Sequence, residues 1–255
     1  MNIFHYDQTF DGLLTTIFEA YRTKHFPHQL LGLDAIAPLF TSYATTIMTD
    51  PAKAQRVWNT VNKKTTTEFR HQLLYAWLSE EEGSDLLILN TIRKLTDSPR
   101  NIETAYADPE ILSLRQLSKK VGKECCFTIQ FVRFQKTQDN IYFAPVEPAC
   151  NVLPIAIPHF KDRFADQKWI IYDTLRNYGF FYNLQTTQQI SLDQNAHFTK
   201  QNELKPEALT PDEILIQKMW KNYFKAVNIT ERRNLKQQRQ HMPQRFWHLL
   251  PEMRK

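Results

Sequence analysis

The sequence predicts an α+β fold with a helical N-terminal half, a central antiparallel sheet that one helix crosses, and a helical C-terminal arm. Apolar residues recur at helical spacing through the first 123 residues, and from Cys125 onward they alternate as in strands. A polar stretch then leads to a new helix start at residue 210. We expect one α+β unit over residues 1–255, subdivided into 1–123, 124–195 and 210–255.

The first fifty residues predict a strand, a helix and a second strand. IFHYD (3–7) alternates apolar and polar residues, as a short strand does. GLLTTIFEAYRTK (12–24) has apolar residues at helical spacing and follows polar capping residues. HFPHQLLGLDAIAPLF (25–40) is typical of a loop, and TSYATTI (41–47) of a short strand.

Four further helices are predicted before residue 123. Asp50-Pro51 is a helix start, with Asp as N-cap and Pro in the first turn. Thr65 to Glu68 offers a capping box for the next helix. DLLILNTIRKL (85–95) indicates a third, and Asp108-Pro109 repeats the Asp-Pro start for the fourth.

The central segment predicts a sheet. CFTIQFVRF (126–134) alternates as a strand, and IYFAPVEP (141–148) returns as its hairpin partner. Residues 151–164 are helical in pattern despite two prolines, so one helix crosses the sheet. Three more strands are predicted at WIIYD (169–173), FFYNL (180–184) and QQISL (188–192).

The last helix starts at Thr210-Pro211, which combines an N-cap, a proline in the first turn and a capping box. Its broad apolar face predicts that it docks on the body of the protein and delivers the following basic segment to a defined place. The face consists of Ile216, Met219, Trp220, Tyr223, Phe224 and Val227.

Composition excludes several classes of protein. Apolar residues make up 42% and charged residues 23%, as in soluble globular proteins. No apolar stretch approaches the roughly 20 residues that span a bilayer, and the N-terminus lacks a signal-peptide pattern. With three cysteines and five glycines, the sequence predicts neither a disulfide framework nor a glycine-rich phosphate-binding motif. We expect a cytoplasmic protein without membrane contact, cofactor or metal ion.

The charge distribution predicts an acidic partner. Residues 230–255 carry seven Lys and Arg against two acids, whereas the first 229 residues carry 25 of each sign. In the arm, TERRNLKQQRQHMPQRFWHLLPE (230–252), Phe246 and Trp247 can stack on a base. The alternative is an arm wrapped onto the body, its arginines paired with local acids. The predicted phosphate- and base-contacting residues are Arg232, Arg233, Asn234, Lys236, Gln238, Arg239, Arg245 and Trp247.

A second polar cluster lies in HFKDRFADQKWIIYDTLR (159–176). Two or three carboxylates that converge on a cation would form a nuclease-like site. The alternative is a set of ion pairs that fixes the helix onto the sheet. Arg133 is either exposed or paired with a buried acid: Glu124, Glu147 or Asp173. The candidate catalytic residues are His159, Asp162, Asp166 and Asp173, and the second candidate basic patch is Arg133, Arg163 and Arg176.

Five stretches resemble an uncharacterised bacterial family labelled a probable DNA metabolism protein, built on domain of unknown function 4130. They are FDGLLTTIFEAY (10–21), TDPAKAQRV (49–57), FVRFQKTQDNIYFAPVEP (131–148), HFKDRFADQKWIIYD (159–173) and the arm. The resemblance implies a place beside a radical S-adenosylmethionine (SAM) protein, and some relatives are fused to a uracil-DNA glycosylase superfamily domain. This chain has Cys125-Cys126 where the family carries a histidine, and it lacks the cysteine spacing of a 4Fe–4S cluster.

The leading hypothesis is an accessory protein of DNA metabolism or repair that binds nucleic acid, DNA rather than RNA, through the arm, beside a radical SAM partner. One alternative is a metal-dependent enzyme that acts on DNA or nucleotides. The other is a protein-interaction scaffold that has no contact with nucleic acid.

Overall fold

The computed structural model describes residues 1–99, 101–193, 204–232 and 234–253. The chain divides into two compact units, 1–123 and 124–255, and the boundary falls within one long helix. The α+β class is confirmed, with helices at both ends of the chain.

The first unit contains a small parallel sheet and a helical layer. Strand β1 (Asn2–Tyr6) lies between β2 (Gln29–Gly32) and β3 (Tyr43–Thr46), and both pairings are parallel. The prediction of a loop over 25–40 is therefore wrong at β2, because a four-residue strand that pairs parallel to a distant one has no local turn signal. The helices are α1 (Phe10–Thr23), α2 (Pro51–Lys64), α3 (Thr67–Leu78), α4 (Ser84–Asp97) and α5 (Pro109–Phe131).

The capping residues explain where these helices begin. The Asp50 carboxylate accepts from the backbone NH groups of Ala52 and Lys53, and the Thr66 hydroxyl accepts from that of Phe69. The buried faces then meet in one core, which includes Leu13, Leu73, Ile88, Leu89 and Ile92.

The prediction of a strand at 126–134 is wrong, because α5 continues to Phe131. The Thr128 hydroxyl donates to the Glu124 carbonyl, which is a bond of the helical turn. Apolar residues of this segment recur both at alternate positions and at helical spacing, so the pattern is compatible with a strand and with a helix. As a helix it packs Cys125, Ile129 and Val132, at positions i, i+4 and i+7, against the core of the second unit.

The second unit is built on a five-stranded mixed sheet in the order β4-β5-β6-β7-β8. Neighbouring strands are antiparallel except for β5 and β6, which are parallel and joined by the crossing helix α6. The expected antiparallel sheet is thus mixed at one pair, because a strand that returns through a crossing helix runs parallel to its neighbour. The elements are β4 (Gln135–Lys136), β5 (Tyr142–Val146), α6 (Leu153–Arg163), β6 (Trp169–Asp173), β7 (Tyr178–Tyr182) and β8 (Thr187–Ile190).

The C-terminal segment follows as α7 (Pro211–Ala226), α8 (Leu235–His241) and a 3-10 helix, Gln244–Leu249. The Thr210 hydroxyl caps α7, and the buried Glu213 carboxylate accepts from the backbone NH of Lys136 in β4. The start of α7 is therefore fixed at the edge of the sheet. No helix in the described part of the chain is both long and apolar enough to span a bilayer.

Candidate nucleic-acid interface

The end of the arm is packed into the second unit. Phe246 is 4% exposed, and its ring centroid lies 5.9 Å from that of Phe127 and 5.3 Å from that of Phe131. Leu249 and Leu250 are buried as well. Phe246 therefore anchors the arm and is not available to stack on a base, contrary to the expectation from the sequence.

Three contacts with carboxylates hold the same segment. Arg245 donates to Glu124, whose other carboxylate oxygen accepts from the backbone NH of Ala149. Arg133 Nη2 donates to Glu252 Oε1 at 2.8 Å, and His248 Nε2 lies 2.8 Å from a carboxylate oxygen of Glu147. Arg245 is thus a docking residue whose charge a buried carboxylate balances. Arg133 pairs with a buried acid, but this acid is Glu252 and none of the three proposed from the sequence.

Glu252 is the central buried charge of this packing, since its side chain is 3% exposed. Trp220 Nε1 donates to its second oxygen, Oε2, at 3.1 Å. Burial alone would raise the pKa of Glu252, but the hydrogen bond and the charge of Arg133, together with the hydrogen bonds from the backbone and Trp220, outweigh burial and leave that pKa below its ordinary value. Glu252 is therefore ionised at neutral pH and links α7, the end of α5 and the arm.

The basic residues of α8 and the turn before it behave differently. Arg232, Lys236 and Arg239 are exposed, and no carboxylate of the described residues lies within ion-pair distance of them. Lys236 and Arg239 are three positions apart and share one face of α8. Arg233 lies outside the described residues. These cations are available to an external anion.

Helix α7 adds cations that the sequence analysis did not single out. Lys218, Lys221 and Lys225 occupy one side of the helix at positions i, i+3 and i+7. Within the described ranges they too have no carboxylate at ion-pair distance. Their spacing on the polar face was the signal that would have identified them.

The expected docking of the apolar face of α7 is wrong for most of that face. Leu215, Ile216, Met219, Tyr223 and Val227 are all more than half exposed, and the Tyr223 ring stacks on that of Trp220 with centroids 5.6 Å apart. The side of α7 that carries Glu213, Trp220 and Phe224 contacts the rest of the second unit or is partly covered. An apolar stripe therefore runs along the outer side of the helix; we call it the α7 stripe.

The polar residues predicted to reach bases have specific local roles. The Asn234 side chain caps α8, since its Oδ1 accepts from the backbone NH of Gln237 at 3.1 Å. Gln238 Nε2 lies 3.9 Å from the Met253 sulfur. Trp247 is half-buried and donates its indole NH to the Met242 carbonyl at 3.0 Å, which leaves part of its ring accessible.

Asn234 and Gln238 open onto a cavity of about 500 Å³. Its walls come from the end of α7, from α8 and from the last described residues of the chain. Phe224, Val227 and Met253 form the apolar part of its lining, and a third amide, Asn228, joins the other two at its rim.

Asp173, in the second cluster, is a structural residue. It is buried at the end of β6 and accepts from the backbone NH groups of Leu175 and Arg176 at 3.0 and 3.1 Å, and from Arg176 Nη1 at 2.8 Å. Burial raises the pKa of Asp173, and the hydrogen bonds from Arg176 only partly offset the rise. These bonds brace the turn between β6 and β7.

The other members of this cluster lie on the surface. His159, Asp162 and Arg163 are exposed on α6, and Asp166 is exposed just after it. No group of three or more His, Cys, Asp or Glu side chains in the described part of the chain is placed to hold a metal ion. In the second candidate patch, Arg133 and Arg176 are already bound by carboxylates, and the Arg163 guanidinium lies 5.6 Å from the centroid of the adjacent Phe164 ring.

Comparison with known proteins identifies a family and a distant structural likeness. No curated protein matches the chain significantly. Among solved structures, the pGpG-specific phosphodiesterase PggH from Vibrio cholerae aligns over 89% of this chain and 99% of its own, with 10% identity and a TM-score of 0.29. Chains that share a fold align with much higher scores, so we infer nothing from this likeness. The model of the family described as a domain of unknown function, DUF4130, matches residues 82–252, and the chain belongs to this family.

Proposed function

We propose that the protein is an accessory protein of DNA metabolism that binds nucleic acid through α7, α8 and the arm. One observation carries this proposal: six side chains of α7, α8 and the turn before α8 bear positive charges that no carboxylate of the described residues balances. They are Lys218, Lys221, Lys225, Arg232, Lys236 and Arg239.

The anchoring of the arm supports the same proposal. Phe246 and the ion pair of Arg245 with Glu124 fix the chain just after α8, and Glu213 fixes α7 at its start. Cations on an ordered segment are bound to phosphates at a lower entropic cost than cations on a flexible tail. The resemblance to proteins of DNA metabolism makes DNA the expected polyanion.

The test is the salt dependence of DNA binding, measured by fluorescence anisotropy on a labelled duplex. Each phosphate contact contributes about 0.9 to the slope of log affinity against log salt. The triple variant Arg232→Ala/Lys236→Ala/Arg239→Ala is expected to lower the affinity at least about tenfold and the slope by about 2–3.

The matched control is Lys63→Ala/Lys119→Ala/Lys161→Ala, which removes the same charge from exposed lysines elsewhere. It should change the slope by less than about 1. An absence of binding at low salt, or equal effects of the two triple variants, would exclude the proposed interface.

The α7 stripe favours a second candidate function, that of a protein-interaction scaffold. Five apolar side chains at i, i+1, i+4, i+8 and i+12 form the pattern of a helix that lies in a groove of another protein. The lysines on the polar side of α7 favour an acidic rim around that groove. The resemblance points to the neighbouring radical SAM protein as the partner.

Coexpression of the two proteins, nuclease treatment and size-exclusion chromatography test this candidate. A stoichiometric complex should survive the nuclease and be lost in Met219→Glu/Tyr223→Glu. The exposed pair Glu207→Ala/Asp212→Ala is the control and should leave the complex intact. No complex with the unmodified chain would remove this candidate.

A further inference from the structure

We propose that the cavity between α7, α8 and the end of the arm receives a single unpaired nucleobase. This inference rests on the proposed function and specifies its ligand as a nucleic acid with an unstacked base. At about 500 Å³, the cavity falls within the range of roughly 300–1,000 Å³ that is typical of small-molecule sites.

The lining has the chemistry that a base requires. Phe224, Val227 and Met253 supply apolar contact for the faces of a planar ring. Asn234 and Gln238 supply amide groups, which match the donors and acceptors on the edge of a base. The Asn234 cap engages only its Oδ1, so its NH₂ group can still donate.

The charge of the lining distinguishes a base from a phosphate. Among the described residues of the lining, Glu252 is the only ionisable side chain, and Arg133 donates a hydrogen bond to it. An anion inside the cavity would lie beside this carboxylate, and none of the described lining residues is a cation. A neutral base meets no such repulsion, and both oxygens of Glu252 are already occupied by Arg133 and Trp220.

The free cations are interleaved in sequence with the amides of the cavity. Arg232 precedes Asn234 by two residues, Lys236 lies between Asn234 and Gln238, and Arg239 follows Gln238 directly. In the proposed complex, the phosphates that flank the inserted base contact cations of this same segment. A base that enters must leave its stack, which costs least where it is unpaired.

The experiment compares two duplexes that differ by one bulged 2-aminopurine. We expect the bulged duplex to bind about tenfold more tightly than the continuous one, in line with the energy of stacking one base on protein side chains. The fluorescence of the 2-aminopurine should change when the protein binds. Both measurements use the full chain.

Val227→Trp is the decisive variant, because Val227 is 54% exposed and a larger side chain there fills the cavity without changing any charge. It should abolish the preference for the bulge and keep the affinity for the continuous duplex. Ile216→Trp is the matched control: Ile216 is 57% exposed on the same helix and does not line the cavity. Gln238→Ala should lower the preference several-fold, and Lys236→Ala should weaken both duplexes equally.

Each outcome separates this inference from the proposed function. Equal affinity of the unmodified chain for the two duplexes, or a preference that survives Val227→Trp, would overturn the base-binding cavity and leave the basic interface standing. A failure to bind either duplex at low salt would overturn both.

Discussion

Arg133 is expected to hold the arm through Glu252, and Arg133→Met tests this. The Glu252 side chain is 3% exposed, so removal of the guanidinium leaves a buried carboxylate that keeps, among the described residues, the side-chain hydrogen bond from Trp220. Breaking a buried ion pair costs about 3–5 kcal/mol. Arg133 is 29% exposed and the Trp220 bond persists, so we expect a lower cost, about 2–3 kcal/mol.

This cost should appear as local opening of the arm. A free-energy change of about 2–3 kcal/mol corresponds to an opening equilibrium about 30- to 150-fold more favourable. Hydrogen exchange followed by mass spectrometry would detect it in peptides that cover Gln244–Leu249 and Glu252. Methionine retains most of the apolar stem of Arg133, so lost packing contributes little to the effect.

Two comparisons make the result specific. Arg163→Met removes an exposed arginine that has no carboxylate at ion-pair distance in the described structure, and it should leave exchange in the arm unchanged. Arg133→Met/Glu252→Gln replaces the stranded carboxylate by a neutral amide and should recover at least half of the lost protection. A change of less than about threefold in the single variant, or no recovery in the double one, would refute the role of this pair.

Three further predictions concern titration, the β6–β7 turn and the cysteines. The pKa of Glu252 is lowered in the folded protein, so the stabilising contribution of its carboxylate is complete above the ordinary carboxyl pKa of 4.5 and is lost as the pH falls through the lowered value. Trp fluorescence of the arm should report opening in that pH range. The transition should be absent in Glu252→Gln. Asp173→Ala removes the acceptor of two backbone NH groups and the carboxylate partner of Arg176, which keeps its hydrogen bond to the Pro148 carbonyl, and it should cost about 3 kcal/mol in urea unfolding. Asp173→Asn should recover the turn bonds and about half of the loss, and a cost below about 1 kcal/mol for the alanine variant would contradict the bracing role. Burial raises the pKa of Cys125 to about 11, so iodoacetamide at neutral pH should label the exposed Cys126 first. Mass spectrometry measures the two labelling rates, and equal rates would disprove this difference.

Local sequence signals predicted most of the helices. Thr210 forms the capping bond that its position indicates, whereas the N-cap of α3 is Thr66, one residue after the start of the predicted box of Thr65 to Glu68. Both helices run close to the predicted ranges. A cap acts within three or four residues, so a linear sequence contains all that is needed to locate it. The same holds for the positive charge of the arm, which is a matter of composition.

The tertiary structure decided what depends on distant residues. CFTIQFVRF fits both a strand and a helix, and packing of Ile129 and Val132 against the core of the second unit selects the helix. In the arm, sequence does not distinguish Arg245, which is balanced by a carboxylate 121 residues away, from Arg239, which has no such partner in the described structure.

The same distinction between local signals and distant contacts applies to the candidate site. The sequence by itself determined that the last part of the chain is basic and that helices carry it. Which cations are balanced, which side of α7 stays exposed and where a cavity opens were decided only when segments far apart in sequence came together. The physical reason is that helix capping and net charge depend on neighbouring residues, whereas ion pairing, burial and cavity shape depend on which remote side chains the fold brings within a few ångströms.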